Sequence, residues 1–177
     1  MRALALSLLA ACGLANTGCL SSLLYPELEV VENVDVERYM GKWYEIARYP
    51  NFFQDSECDN TTAEYTLNDD GTVKVVNRCG PTGTEQSIEG TARVVDTTTN
   101  AKLKVRFFGP FEGDYWIIEL DPDYQWAVVG EPSRRFLWIL SRTPTMDATV
   151  YNDILLQLPD KSYNPDRLML TPHDSAE

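Results

Sequence analysis

The chain has 177 residues, 44 % of them hydrophobic, and a net charge of −12, which suits one domain with a packed core. So acidic a chain is repelled by nucleic-acid phosphate and carries no basic patch with interleaved aromatics, which excludes a nucleic-acid partner. The same charge weakens any simple attraction to anionic lipid, so contact with a membrane is expected to come from an anchor.

Met1-Arg2 precedes an apolar run rich in Leu and Ala over 3–15, then Asn16-Thr17-Gly18-Cys19. The run is shorter than the ~20 residues of a spanning helix and small residues end it, so 1–18 reads as a secretory signal peptide. A cysteine straight after small residues resembles the acceptor site of bacterial lipoproteins, which makes Cys19 the expected lipidated residue. Asn16 departs from the Leu that the acceptor pattern has there, and Leu9-Ala10-Ala11-Cys12 fits it better but would leave a signal of only eleven residues, short for the export machinery, so Cys12 and simple soluble secretion stay open as alternatives. Leu20 follows Cys19, and the resemblance implies that a residue other than Asp there permits sorting to the outer membrane, on the periplasmic face. Residues 19–33 contain Pro26 and no periodicity, so they are expected to form a tether to a barrel domain over 34–174.

Residues 34–40 predict a short helical turn capped by Asp35. Gly41 allows a tight turn into a strand over 43–49. Period two puts Trp43, Glu45, Ala47 and Tyr49 on one face and Tyr44, Ile46 and Arg48 on the other. A loop over 50–60 carries Phe52-Phe53. Further strands follow at 61–67, 72–79, 85–95, 102–108, 114–120, 125–130 and 135–142. Turn signals such as Asn68-Asp69-Asp70-Gly71, Gly109-Pro110 and Asp121-Pro122-Asp123 separate them. Beyond Pro144, Val150, Ile154, Leu155 and Leu158 fall at helical spacing until Pro159, which predicts a helix over 147–157. A short last strand is expected at 167–171. The fold class is all-β: an eight-stranded up-and-down antiparallel β-barrel with one C-terminal α-helix packed outside. Such a barrel is wide enough for packed side chains or one small ligand.

Cys58 and Cys79 flank the hairpin of 61–67 and 72–79, within a few residues of direct opposition. In an exported chain they are expected to form a disulfide, closing about 22 residues for roughly 3 kcal/mol. The alternative, a reactive thiol, lacks a neighbouring helix start, His or Arg cluster. His173 is the only histidine, which excludes a His-based triad, a multi-His metal site and haem ligation by histidine. No glycine-rich phosphate loop leads into a helix. The paired carboxylates Asp69-Asp70 and Asp121/Asp123 sit in turns, where Asp serves the backbone. No catalytic residue, metal or cofactor is expected.

Three segments carry a resemblance: Gly41-Lys42-Trp43-Tyr44-Glu45-Ile46-Ala47-Arg48, Phe107-Phe108-Gly109-Pro110-Phe111 and Leu137-Trp138-Ile139-Leu140-Ser141-Arg142-Thr143-Pro144. They resemble the lipocalins, closely the bacterial outer-membrane branch and more distantly apolipoprotein D. The resemblance implies a structural motif at one closed end, with Arg142 stacked on Trp43 after Gly41. Glu45, on the inner face, has to pair with a cation, take a proton or meet a ligand. Parity makes Ala47, Tyr49, Val73, Val75, Leu103, Val105 and Phe107 candidate cavity lining. Tyr115, Ile117, Ala127, Val129, Phe136 and Trp138 complete it, and the small Gly90, Ala92 and Ala127 leave room. This lining suits an acyl chain with its head near the mouth. The resemblance implies storage or transport of a fatty acid such as palmitate, or of a lysophospholipid, in the cell envelope. The alternatives are a lipocalin-fold enzyme acting on a hydrophobic substrate through Glu45 or a cysteine, and a filled-core interaction module. The sequence leaves the head group open, and the choice of monomer or homodimer.

Overall fold

Asp35 accepts the N–H of Arg38 at 3.1 Å and caps a single helical turn, α1 (Val36–Tyr39). Gly41 follows at φ 93°, a conformation in which a side chain is strained, and swings the chain into β1 (Gly41–Arg48). In the computed structural model, residues 25–54, 58–81, 83 and 85–174 are described. The signal over 1–18, Cys12 and Cys19 lie outside them.

From β1 the chain runs through β2 (Thr62–Leu67), β3 (Val73–Cys79), β4 (Gln86–Val94), β5 (Lys102–Phe108), β6 (Phe111–Leu120), β7 (Trp126–Gly130) and β8 (Leu137–Ser141). Each pairs antiparallel with its sequence neighbour. β1 pairs with β2 on one side, Gly41 opposite Tyr65, and with β8 on the other, Tyr44 opposite Ser141. That double pairing closes the sheet into an eight-stranded barrel. Closure removes the sheet edges that would otherwise template aggregation. β6 starts three residues earlier than expected, because Phe108 pairs with Phe111 directly across Gly109-Pro110.

Asp147 caps α2 (Ala148–Gln157), accepting from the N–H groups of Thr149 and Val150. α2 lies on the outside of the barrel, with Ile154 and Leu158 buried against Ile118, Val128, Leu137 and Ile139. β9 (Met169–Leu170) then pairs with β1 at Ala47 and Arg48. The expected disulfide between Cys58 and Cys79 is present, with Cα atoms 5.4 Å apart.

Two departures from the sequence reading matter for function. First, the register of β1 against β8 slips between Glu45 and Ala47, a β-bulge with Ile46 as the inserted residue. The C-terminal segment fills its hydrogen bonds: Thr171 N–H donates to the Ile46 carbonyl at 3.0 Å, and the His173 imidazole meets the Glu45 carbonyl at 2.8 Å. Parity therefore flips within the strand. Second, the described part of the expected tether is docked. Leu28 is buried, Val31 N–H donates to the Ile117 carbonyl, and Arg134 holds the Pro26 carbonyl at 2.7 Å. An irregular segment held by single side chains shows no periodicity, which is why composition suggested a free linker.

Candidate functional site

At one end the barrel is sealed. Trp43 is fully buried, its indole N–H bonded to the Tyr39 carbonyl at 2.9 Å, and the Arg142 guanidinium lies 3.8 Å from its ring centroid. Arg142 also donates to the carbonyls of Arg38, Lys42 and Tyr124, tying α1, β1 and the β6–β7 turn into one plug. β1 runs from this end to the other. The alternation of strands then puts the described residues of the connections, 50–54 with 58–61, 80–81 with 83 and 85, 108–111 and 131–136, around the open end.

Above the plug, three phenols meet. The Tyr39 and Tyr65 hydroxyls lie 2.8 and 3.0 Å from the Tyr115 hydroxyl. Burial holds Tyr39 and Tyr115 well above the ordinary tyrosine value and pushes Tyr65 up to about 12, so all three stay neutral donors. Two mutual bonds use two of their three protons, which leaves one for a further acceptor. A second polar point is Asn77, on the inner parity of β3 with Val73 and Val75. Its buried amide oxygen has no hydrogen-bond partner among the described residues.

The inner wall is unevenly covered. Val73, Val75, Ile117, Ala127 and Val129 are almost wholly covered. Val105, Phe107, Tyr115 and Trp138 belong to the same inner cluster but keep accessible surface, as does Phe136 above them. The space that Gly90 leaves is taken by the Phe107 ring, so this glycine accommodates an aromatic side chain and adds no volume of its own.

Two lining residues inferred from parity change place. Ala47 and Tyr49 face outward, into the cluster under α2, where the Tyr49 hydroxyl donates to the Asn164 carbonyl at 2.7 Å. The bulge is the cause: Ile46 and Ala47 both point out, and Arg48 turns in opposite Trp138. Glu45 does face inward, but its carboxylate accepts from Arg48 at 3.0 Å, Thr171 at 2.6 Å and Gln54 at 2.9 Å. That network occupies the carboxylate and pins the 50–54 loop. Sequence reasoning passed over Arg48, Asn77, Tyr39 and Tyr65. The apolar pair Ile46-Ala47, which breaks strict alternation, was a signal for the first, and the parity of Val73 and Val75 for the second.

The open rim is aromatic. Phe53 lies 5.3 Å from Phe136 and 6.4 Å from Trp138, centroid to centroid, with Phe52 outermost. Across the mouth stand Phe108 and Phe111 of the β5–β6 hairpin.

An up-and-down barrel plugged by an indole under an arginine at one end, and rimmed by aromatics at the other, defines the lipocalin class of architecture. The chain belongs to the lipocalin family: the family model of the Lipocalin-like domain matches residues 34–173. It is 45 % identical over 158 residues to temperature-induced lipocalin-1 of Arabidopsis thaliana, covering 85 % of each chain. It is 43 % identical over 157 residues to the outer membrane lipoprotein Blc of Escherichia coli K12, covering 88 % of each. Among solved structures it is similar to insecticyanin of the tobacco hornworm Manduca sexta, with a TM-score of 0.69, 19 % identity, and 85 % and 87 % of the two chains covered. That last likeness concerns the fold alone.

Proposed function

We propose that this chain is an outer-membrane lipoprotein, anchored through Cys19 after removal of residues 1–18. In this reading it stores or carries a fatty acid or lysophospholipid on the periplasmic face. The observation that carries the reading is the graded inner wall. Beside wholly covered positions such as Val73, Val75 and Ile117, the inner-cluster residues Val105, Phe107, Tyr115 and Trp138 still have surface to give. An apolar cup of this kind gains free energy from each methylene it removes from water. The outer membrane lipoprotein among the similar proteins supports the location.

The spare phenolic proton over the floor and the Asn77 amide suit a ligand with one polar group among apolar carbons. An enzymatic reading is weaker on chemistry. Glu45 is engaged by Arg48, Thr171 and Gln54, and the Cys58–Cys79 disulfide leaves no thiol at either position. Native mass spectrometry of protein purified without detergent, followed by palmitate titration monitored by Trp fluorescence, tests the proposal. Retained average ligand efficiency predicts a dissociation constant from sub-micromolar to roughly tens of micromolar. A protein that carries no lipid and gives no saturable titration would rule the reading out. Fractionation of Cys19→Ser tests the anchor: it should be released from the outer membrane, since stable attachment needs several acyl chains.

A further inference from the structure

Four phenylalanines project from the open end: Phe52, Phe53, Phe108 and Phe111, at 90, 57, 68 and 81 % exposure. The other strongly exposed large apolar side chains, Leu67, Val95, Leu156 and Leu170, sit singly on β2, beyond β4, on α2 and on β9. A cluster of exposed aromatics confined to one end is a surface built for contact. The aromatic stretches 50–54 and 108–111 contain no charged residue, although Asp55, Glu57 and Asp59 follow the first in sequence and 24 % of the whole chain is charged. Uncharged aromatic tips can enter a lipid headgroup region without carrying ions out of water.

The end of the described chain indicates which partner they meet. Arg134, in the β7–β8 connection at the open end, is buried. It donates to the Pro26 carbonyl at 2.7 Å, to the Pro132 carbonyl at 2.6 Å and to the Lys161 carbonyl at 3.1 Å, and its guanidinium lies 5.3 Å from the Tyr25 ring. The chain is thus fastened beside the mouth. Cys19 lies six positions earlier in sequence than Tyr25, a reach of at most roughly 20 Å. Facing the closed end to the membrane would use that reach in running down the barrel wall. Facing the mouth to the membrane uses little of it.

We propose that the open mouth docks on a lipid bilayer, with Phe52, Phe53, Phe108 and Phe111 entering the headgroup region, so that lipid passes between membrane and cup without crossing water. The orientation rests on the lipid-carrier and Cys19-anchor reading above, whereas the aromatic tips require neither. The net charge of −12 argues for a zwitterionic surface over an anionic one.

The test uses the full chain reconstituted in phosphatidylcholine vesicles with brominated acyl chains, which quench tryptophan at short range. Phe111→Trp reports from the rim and Leu67→Trp from the β2–β3 hairpin at the closed end. The bromolipid quenching added at the rim should be at least twice that added at the hairpin. Equal quenching, or more at Leu67→Trp, overturns the proposal. So does a rim that cross-links to a second copy and shows no quenching, which would make the mouth a self-association face. A second arm replaces the outermost pair, Phe52→Ser with Phe111→Ser. Transfer of lysophosphatidylcholine out of vesicles should slow at least fivefold while affinity for the same lipid in solution is kept, and an unchanged transfer rate overturns the proposal. Absence of binding in solution by the parent protein would refute the carrier reading instead, and the quenching comparison would still decide the docking.

Discussion

Glu45 and Arg48 stand three positions apart on one strand, yet both turn into the barrel and form an ion pair at 3.0 Å. Period two alone would put them on opposite faces. The bulge at Ile46 makes the pair, and the pair with Thr171 and Gln54 in turn locks the bulge. Arg48→Met leaves a buried carboxylate without its cation and should cost about 3–5 kcal/mol. Adding Glu45→Gln to it should recover part of that loss. Urea unfolding of the two single variants and the double variant measures the coupling, and strictly additive losses would contradict it.

Trp43→Ala should cost about 3–5 kcal/mol, because it empties the plug under Arg142. Arg142→Ala should also destabilise, since it leaves the carbonyls of Arg38, Lys42 and Tyr124 without their donor. Ligand affinity at temperatures where both variants are folded should change less than stability does, because Trp43 is fully buried and offers no surface to a ligand. Thermal melting and palmitate titration on the same samples check this.

The three phenols predict an alkaline limit. Unfolded tyrosine ionises near pH 10, whereas burial holds Tyr39 and Tyr115 well above that value and Tyr65 up to about 12. Between those values the unfolded chain releases protons that the folded chain keeps, so stability falls as pH rises above 10. It should be independent of these groups below pH 9. Urea midpoints at pH 8, 10 and 11 show the trend, and replacing Tyr39 and Tyr65 with Phe should flatten it.

Filling the cup should separate binding from folding. Val105→Trp places an indole where the wall still has surface, and palmitate affinity should drop at least tenfold with the circular dichroism spectrum kept. Ala127→Trp is the contrast. Ala127 is fully buried in the inner cluster, so overpacking should cost about 1–3 kcal/mol or more and lower the melting temperature first.

The barrel was legible because its signals are local. Alternation marks the strands, and Gly109-Pro110 and Asp121-Pro122-Asp123 mark turns. Ile154 and Leu158 at helical spacing mark the apolar side of α2. The cup was only partly legible. No side-chain chemistry demands a bulge at Ile46, so parity carried Ala47 and Tyr49 to the wrong face and Arg48 out of view. Tyr39, Tyr65 and Tyr115 come from α1, β2 and β6, and their meeting is a product of closure. The docked stretch around Leu28 escaped notice because isolated anchors leave no period to detect.

β1 has a kinetic meaning as well. It is the first strand made, but its partners include Leu140, Trp138 and the Thr171 that satisfies the bulge. The seam therefore joins positions from 90 (Arg48–Trp138) to 125 (Ile46–Thr171) residues apart, and closing so distant a pairing slows folding relative to the neighbouring hairpins. Until the last residues are available β1 lacks one flank and the barrel stays unsealed. On the export reading proposed above, such delay would keep the chain translocation-competent until its C-terminal end arrives to finish the first strand.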